Sequence, residues 1–206
     1  MVWEVKTLGD FLRRIAFDYA RFGYTRFALR EVPKDKDLAV VDRKIRCTYN
    51  LTTCRTKRMR LKRQGKARVQ YLRFKHSFVL LATEGTHIEF ERLRSYDMRN
   101  SPLHFRGYSI GFRGLIVSVR VAQQVWNRVE RQVGTLTFEK TSVLENAITT
   151  LPYYHFPDVI HQKQRLLNQI NKCRKQAGLK PAKLLLPQTK THWRCSCDLN
   201  PNILKG

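Results

Sequence analysis

The sequence predicts an α+β fold. Three patterns carry that expectation: apolar residues at helical spacing near both ends of the chain, strand-like sequence between residues 67 and 83, and a second strand-like run between 103 and 121 interrupted at a glycine. The order of strand, helix, hairpin, further strands and then helices is compatible with a small antiparallel or mixed sheet. A split βαβ arrangement packed with helices would have this order.

Residues 7–22 place Leu8, Phe11, Leu12, Ile15, Ala16 and Tyr19 on one helical face, with Thr7 and Asp10 as an N-cap pair and Gly23 as the stop. Tyr24 to Val32 alternates as a strand and ends at Pro33. Asp35 or Asp37 then caps a short helix reaching about Tyr49, with Leu38, Val41 and Ile45 inward. A basic, apolar-poor connector covers 51–66. Beyond it Val69, Tyr71 and Arg73 share one face of a strand, and Gln70, Leu72 and Phe74 share the other. A turn at Lys75-His76 leads into Ser77–Thr83, apolar enough for a strand buried on both faces, and Gly85 closes the hairpin.

Residues 86–100 are polar, with a short edge strand expected around Ile88 and Phe90. Two strands, Leu103–Arg113 and Leu115–Val121, meet at Gly114. A helix follows through Val121, Val125, Trp126, Val129 and Val133, and Ser142-x-x-Glu145 reads as a capping box opening the next one, with Leu144, Ala147, Ile148 and Leu151 inward. The longest helix is expected from about Asp158 to Ala177, with Val159, Leu166, Leu167, Ile170 and Cys173 on its apolar face and Gly178 as its C-cap. This organisation reads as one basic α+β domain over 1–180, with 51–68 as an arginine-rich connector, and an extended, poorly packed tail over 181–206.

Charge sets the functional expectation. The chain carries 40 Lys+Arg against 16 Asp+Glu, a net +24, while 42% of its residues are hydrophobic. It can therefore build a core, and the excess of one sign repels itself unless a polyanion shares the surface. No stretch approaches the about 18 apolar residues of a membrane span, so no membrane partner is expected. The first residues show no signal peptide, and five irregularly spaced cysteines do not form a secreted disulfide framework. Both features point to an intracellular protein with reduced thiols, cytoplasmic, nucleoid-associated or, in a eukaryote, nuclear.

Three groups of residues are candidates for nucleic-acid contact. Arg55, Lys57, Arg58, Arg60, Lys62, Arg63, Lys66 and Arg68 are eight cations in fourteen residues with no acid among them, a density suited to tracking phosphates. Lys163, Arg165, Lys172, Arg174 and Lys175 form a second cluster on the long helix, beside Gln164, Asn168 and Asn171, whose amides suit base edges or phosphates. The third group interleaves arginine with aromatics on strands: Tyr71 with Arg73, then Arg106, Tyr108 and Arg113. Tyr71 and Tyr108 are the residues expected to stack bases.

Enzymatic readings find less support. Glu84, Glu89, Glu91 and Asp97, with His87 among them, are the only dense acids, and Glu89 and Glu91 would share a face if 88–91 were a strand. Metal-free RNA cleavage needs only a general base for the 2′-OH, and His76 beside Lys75, His104, or His155 beside Tyr154 could serve, as could almost any basic protein's histidines. Zinc at His192, Cys195 and Cys197 would need a fourth ligand such as Cys173. No catalytic residue, metal or cofactor is therefore assigned. The expectation is a nucleic-acid-binding protein, RNA favoured over DNA, acting as a non-catalytic subunit or accessory of a ribonucleoprotein or nucleoprotein complex alongside other subunits. The alternative is a nucleic-acid-processing enzyme, either a metal-free endoribonuclease or a mobile-element nuclease.

Overall fold

A computed structural model describes residues 3–51 and 55–184, without the side chains of residues 55, 57 and 58. The zinc candidates His192, Cys195 and Cys197 lie outside the described residues, as does most of the tail. The fold is α+β, and the chain divides into two compact units, one within residues 1–103 and 110–118, the other within 104–109 and 119–206.

The first unit opens with α1 (Leu8–Arg13), whose Thr7 hydroxyl oxygen accepts the Asp10 N–H at 3.1 Å, as the cap pair predicts. The helix widens into a π-helical turn over Arg14–Tyr19 and tightens into a 3₁₀ turn over Ala20–Phe22 before Gly23 stops it at φ 89°. The wider turn shifts the inward face, so that Phe11, Leu12, Ile15, Ala16 and Ala20 are all buried.

Four strands form the sheet of this unit: β1 (Arg26–Glu31), β2 (Val69–Phe74), β3 (Ser77–Ala82) and β4 (Tyr96–Asp97), in the order β2-β3-β1-β4. β1 and β2 each pair antiparallel with β3, so they run parallel to each other with β3 between them. Their connection passes through α2 (Leu38–Thr48), capped by the Asp37 carboxylate on the Ala39 N–H at 2.7 Å, and α3 (Arg55–Arg63). This is the split βαβ order. Helix α3 falls within the stretch read as a connector.

Strand β2 is buried on both faces. Val69 and Tyr71 pack with Leu51, Leu80, Ala82 and Phe90, covered by Ile45 and Tyr49, while the Phe74 ring lies 5.9 Å from Phe11. Tyr71 is 0% exposed, which corrects the expectation that it stacks bases: the face it occupies is core. Its hydroxyl donates to Asp42 Oδ1 on α2. Arg73 joins the same carboxylate, Nε at 3.0 Å and Nη2 at 3.0 Å, and also reaches the Lys75 carbonyl and Glu4. Arg73 is buried too, an internal tie rather than a phosphate ligand.

Two further elements differ from expectation. Residues Ile88–Glu91 form a short helix, α4, because the His87 ring accepts the Phe90 N–H and caps it; the edge strand is β4 instead. Leu103–Arg113 breaks at Arg106 and Gly107, both at positive φ, into β5 (Leu103–Phe105) and β6 (Tyr108–Arg113). With β7 (Ile116–Val121) these make a three-stranded sheet in the order β5-β6-β7.

In the second unit the helices are α5 (Gln123–Gly134), α6 (Thr141–Thr149) and α7 (Pro157–Gln176), around Trp126, Val129, Leu144, Ile148, Phe156, Val159, Leu167 and Ile170. Tyr108 is 3% exposed, and its hydroxyl oxygen accepts the Tyr154 N–H at 3.0 Å among the rings of Tyr153, Tyr154 and Phe156. The stacking role expected of Tyr108 is therefore also corrected. Helix α6 starts at Thr141, which places Ser142 inside the first turn rather than at the cap, and Glu145 accepts the Lys183 N–H instead. Cys173, expected on the apolar face of α7, is exposed. At the start of the tail Ala182 is buried, its N–H and carbonyl both held by the Asn171 amide at 2.9 Å.

Removing the shared acceptor should expose how much the first unit depends on it. Asp42→Ala takes the acceptor from a buried phenol and leaves the buried Arg73 guanidinium only Glu4 and the Lys75 carbonyl, and should cost about 3 kcal/mol. Tyr71→Phe, which removes one donor and leaves the ion pair, should cost about 1 kcal/mol. Denaturant unfolding of both variants checks the order; equal, small losses would show that the network contributes little.

Candidate nucleic-acid interface

Helix α3 carries its cations to a C-terminus that is fixed in place. The Gly65 N–H bonds the Lys62 carbonyl and the Lys66 N–H bonds the Leu61 carbonyl, with Gly65 at φ 64°, the double bond of a Schellman stop. The chain then joins the loop after β3: Ala67 N–H to the Thr86 carbonyl at 2.9 Å, Thr86 N–H to the Gly65 carbonyl at 3.2 Å, and Arg68 N–H to the Thr83 hydroxyl oxygen at 2.9 Å. Gly85 makes this approach possible. At φ 112°, a Cβ there would stand 2.4 Å from the Gly65 carbonyl oxygen and 2.8 Å from the Ala67 nitrogen.

Two recesses flank this clasp, and Lys66 and Arg68 line both. One, of about 470 Å³, has Tyr49, Leu61, Val69, Ile88 and Glu89 in its walls. The other, of about 330 Å³, is bounded by Phe22, Thr25, Lys62, Glu84 and Arg99. Phe22 is 66% exposed there, and the Arg68 guanidinium lies 5.3 Å from the centre of the Tyr24 ring.

The electrostatics are lopsided. Arg60, Lys62, Arg63 and Lys66 are exposed and have no carboxylate partner among the described residues, whereas the acids nearby are each engaged. Arg99 binds Asp97 at 2.6 Å and Glu84 at 2.7 Å, Arg26 binds Glu91 at 3.1 Å, and Arg92 binds Glu89 at 2.9 Å. The Asp97 carboxyl is held below the usual carboxylate range, chiefly by its bond from Arg99. The acids once read as a possible metal cluster thus balance arginines, and the helical geometry of α4 removes the shared strand face of Glu89 and Glu91. Three cations in the last turn of α3 also suit the negative end of its dipole.

The other candidates distribute differently. Arg55, Lys57 and Arg58 lie on α3 with side chains outside the described set. Arg106 and Arg113 are exposed, Arg106 over the Phe105 ring at 5.7 Å. On α7, Arg165, Lys172 and Lys175 are exposed, but Lys163 and Arg174 are buried, correcting their assignment as contacts. Arg174 donates to the carbonyls of Thr137, Glu139 and Lys180 and to the Thr141 hydroxyl, and so fixes the loop that starts α6. Asn171 is committed to Ala182. Sequence reasoning missed Phe22, Tyr49, Ile88 and Arg99. Gly65 within the basic run and Gly85 after β3 were a signal for the clasp.

Lys163 is 0% exposed, and its amine reaches only the Leu151 carbonyl at 3.5 Å among the described residues. Burial pushes it down to about 8. His155 is likewise lowered, first by burial and then by the Lys163 charge. Below pH 8 the folded state must hold a desolvated ammonium. As pH rises from 8 towards the free-lysine value of about 10.4 the folded amine is already neutral while the unfolded one is not, so stability from this group increases. Lys163→Met should raise stability at pH 7 by about 1–3 kcal/mol and flatten that rise. Unfolding titrations from pH 7 to 9.5 test both; a destabilised variant would show that the amine is paired more strongly than its geometry indicates.

Comparison of the chain with known protein families and with curated proteins finds no match to either, so its function is argued from its own residues.

Proposed function

We propose that this protein binds nucleic acid, RNA in preference to DNA, as a non-catalytic subunit or accessory of an intracellular nucleoprotein complex, and that the clasped end of α3 is its principal contact. The single observation that carries this reading is the set of exposed, unpaired cations Arg60, Lys62, Arg63 and Lys66, fixed by backbone bonds beside two recesses. A protein of net +24 that pairs its local acids and leaves these cations without a carboxylate partner among the described residues sets up a strong positive field there. Phosphates are the groups that such a field selects without needing a preformed pocket.

The preference for RNA rests on the basic helix and the recesses. Irregular RNA offers bends and unpaired bases that a helix flanked by cavities can use. The buried sheet tyrosines add nothing to it. Arg165, Lys172 and Lys175 on α7 supply a second exposed basic face in the other unit. No described helix is long and apolar enough to cross a membrane.

If about five phosphates are neutralised, log K against log [salt] should fall with a slope of about −4.5 on duplex and −3.5 on single strands. Changing Arg60, Lys62, Arg63 and Lys66 together to Gln should reduce that slope by about 3 and leave the protein folded, since these side chains are exposed and only the dipole contribution of the last turn is lost. Fluorescence anisotropy on matched RNA and DNA oligomers over a salt series measures it. An unchanged slope in the folded variant would remove α3 from the interface. Specific strand cleavage by the purified protein would instead favour a processing enzyme.

A further inference from the structure

We propose, building on the nucleic-acid reading above, that the larger recess beside α3 captures one unstacked base of the bound strand. Its volume of about 470 Å³ falls in the range of small-ligand sites. Two aromatic rings line it: Tyr49 and His87 stack on each other, centres 5.9 Å apart and planes at 27°. The pair is held on both sides. Tyr49 packs on the core formed by Leu51, Val69 and Phe90, and His87 Nδ1 accepts the Phe90 N–H, which leaves the ring proton on Nε2.

The chemistry around these rings suits a base. The Tyr49 phenol is pushed up by burial and by the nearby charge of Glu89, so it stays a hydroxyl donor. Glu89, held by Arg92, lines the recess with lone pairs to spare, and Asn50 lines it with an amide that is both donor and acceptor. Leu61, Val69 and Ile88 supply apolar surface, and Ile88 is 75% exposed. A single exposed isoleucine is unremarkable by itself. Here it borders a cavity that the Tyr49 and His87 rings also line.

Charge identifies the rest of the occupant. Lys66 and Arg68 line the recess and have no carboxylate partner among the described residues, so the occupant pairs a flat ring with a negative group. Both residues also line the second recess, next to Lys62, so the cationic path runs on past the cavity. A lone nucleotide would use only part of that path. A base extruded from a strand, with its flanking phosphates on Lys66 and Arg68, uses all of it.

The test employs the full-length protein and two RNA hairpins, one carrying a single bulged 2-aminopurine and one fully paired with 2-aminopurine in the stem. The bulged hairpin should bind about 10-fold tighter, and its 2-aminopurine fluorescence should change on binding. Ile88→Gln and Tyr49→Leu should each lose that preference by about 5-fold or more, the scale of one base stacked on an aromatic ring, while retaining binding to the paired hairpin. Ile88 is exposed, so its variant reports on the recess even if Tyr49→Leu fails to fold. Equal affinity for the two hairpins with unchanged fluorescence, or a preference that survives in folded Ile88→Gln, overturns the base-capture assignment and leaves the nucleic-acid reading standing. Adenosine monophosphate binding as tightly as the bulged hairpin overturns the assignment to a strand. Absence of binding to either hairpin and to matched DNA overturns the nucleic-acid reading itself.

Discussion

Asp42 receives a phenol and a guanidinium from the same strand, and three stretches of chain meet at its carboxylate. Tyr71 and Arg73 reach it from β2, α2 carries it, and Arg73 continues to Glu4 near the start of the chain. The same guanidinium closes on the Lys75 carbonyl at the β2–β3 turn. Such a cluster also specifies register. A slip of β2 by one residue would carry Arg73 to the face now held by Leu72 and Phe74, against the apolar side of α1 around Phe11 and away from Asp42. The aromatic packing alone would resist that slip less sharply, because Leu, Phe and Tyr exchange places at modest cost whereas an unpaired buried guanidinium does not.

Sixteen carboxylates among forty cations leave little freedom in where each acid goes. In the first unit Asp18, Asp42, Glu84, Glu89, Glu91 and Asp97 each engage an arginine. Among the described residues none of them forms an ion pair with Arg60, Lys62 or Arg63, although Glu84 shares a recess with Lys62. The second unit handles its buried cations without acids: Arg174 is satisfied by carbonyls and a hydroxyl, and Lys163 by one long contact to a carbonyl. Exposed cations with no carboxylate partner among the described residues therefore stand at the end of α3, where backbone bonds hold the chain, and on α7.

Much of the fold was legible in the sequence because it is written in local pattern. The Thr7 cap, the stop at Gly23, the Asp37 cap and the Lys75-His76 turn all follow from residues within a few positions of one another. Period-two alternation correctly separated Tyr71 from Leu72, yet it could not say that both faces are covered, since burial of the Tyr71 face depends on α2 and on Leu51, some twenty residues away. The same limit applied to the helix cations. Lys163 and Arg165 look alike in sequence, and only the position of the Leu151 carbonyl and the surrounding core separates the buried one from the exposed one. Helix α4 was missed because its cap is a histidine, an uncommon choice beside the usual Ser, Thr, Asp or Asn. The basic run was evident from composition. That it ends in a clasp between two cavities was not.

The clasp at Gly65 and Gly85 has a further meaning for how such a surface can vary. The end of α3 is positioned by main-chain bonds, and the space for them is set by a missing Cβ. Binding strength and binding geometry are consequently written in different residues. Lysines and arginines along the helix can be gained or lost one at a time, adjusting attraction in small steps while the frame stays put. Gly85 offers no such gradation: any side chain there collides with backbone on the opposite segment, displacing the whole charged edge without changing a single charge.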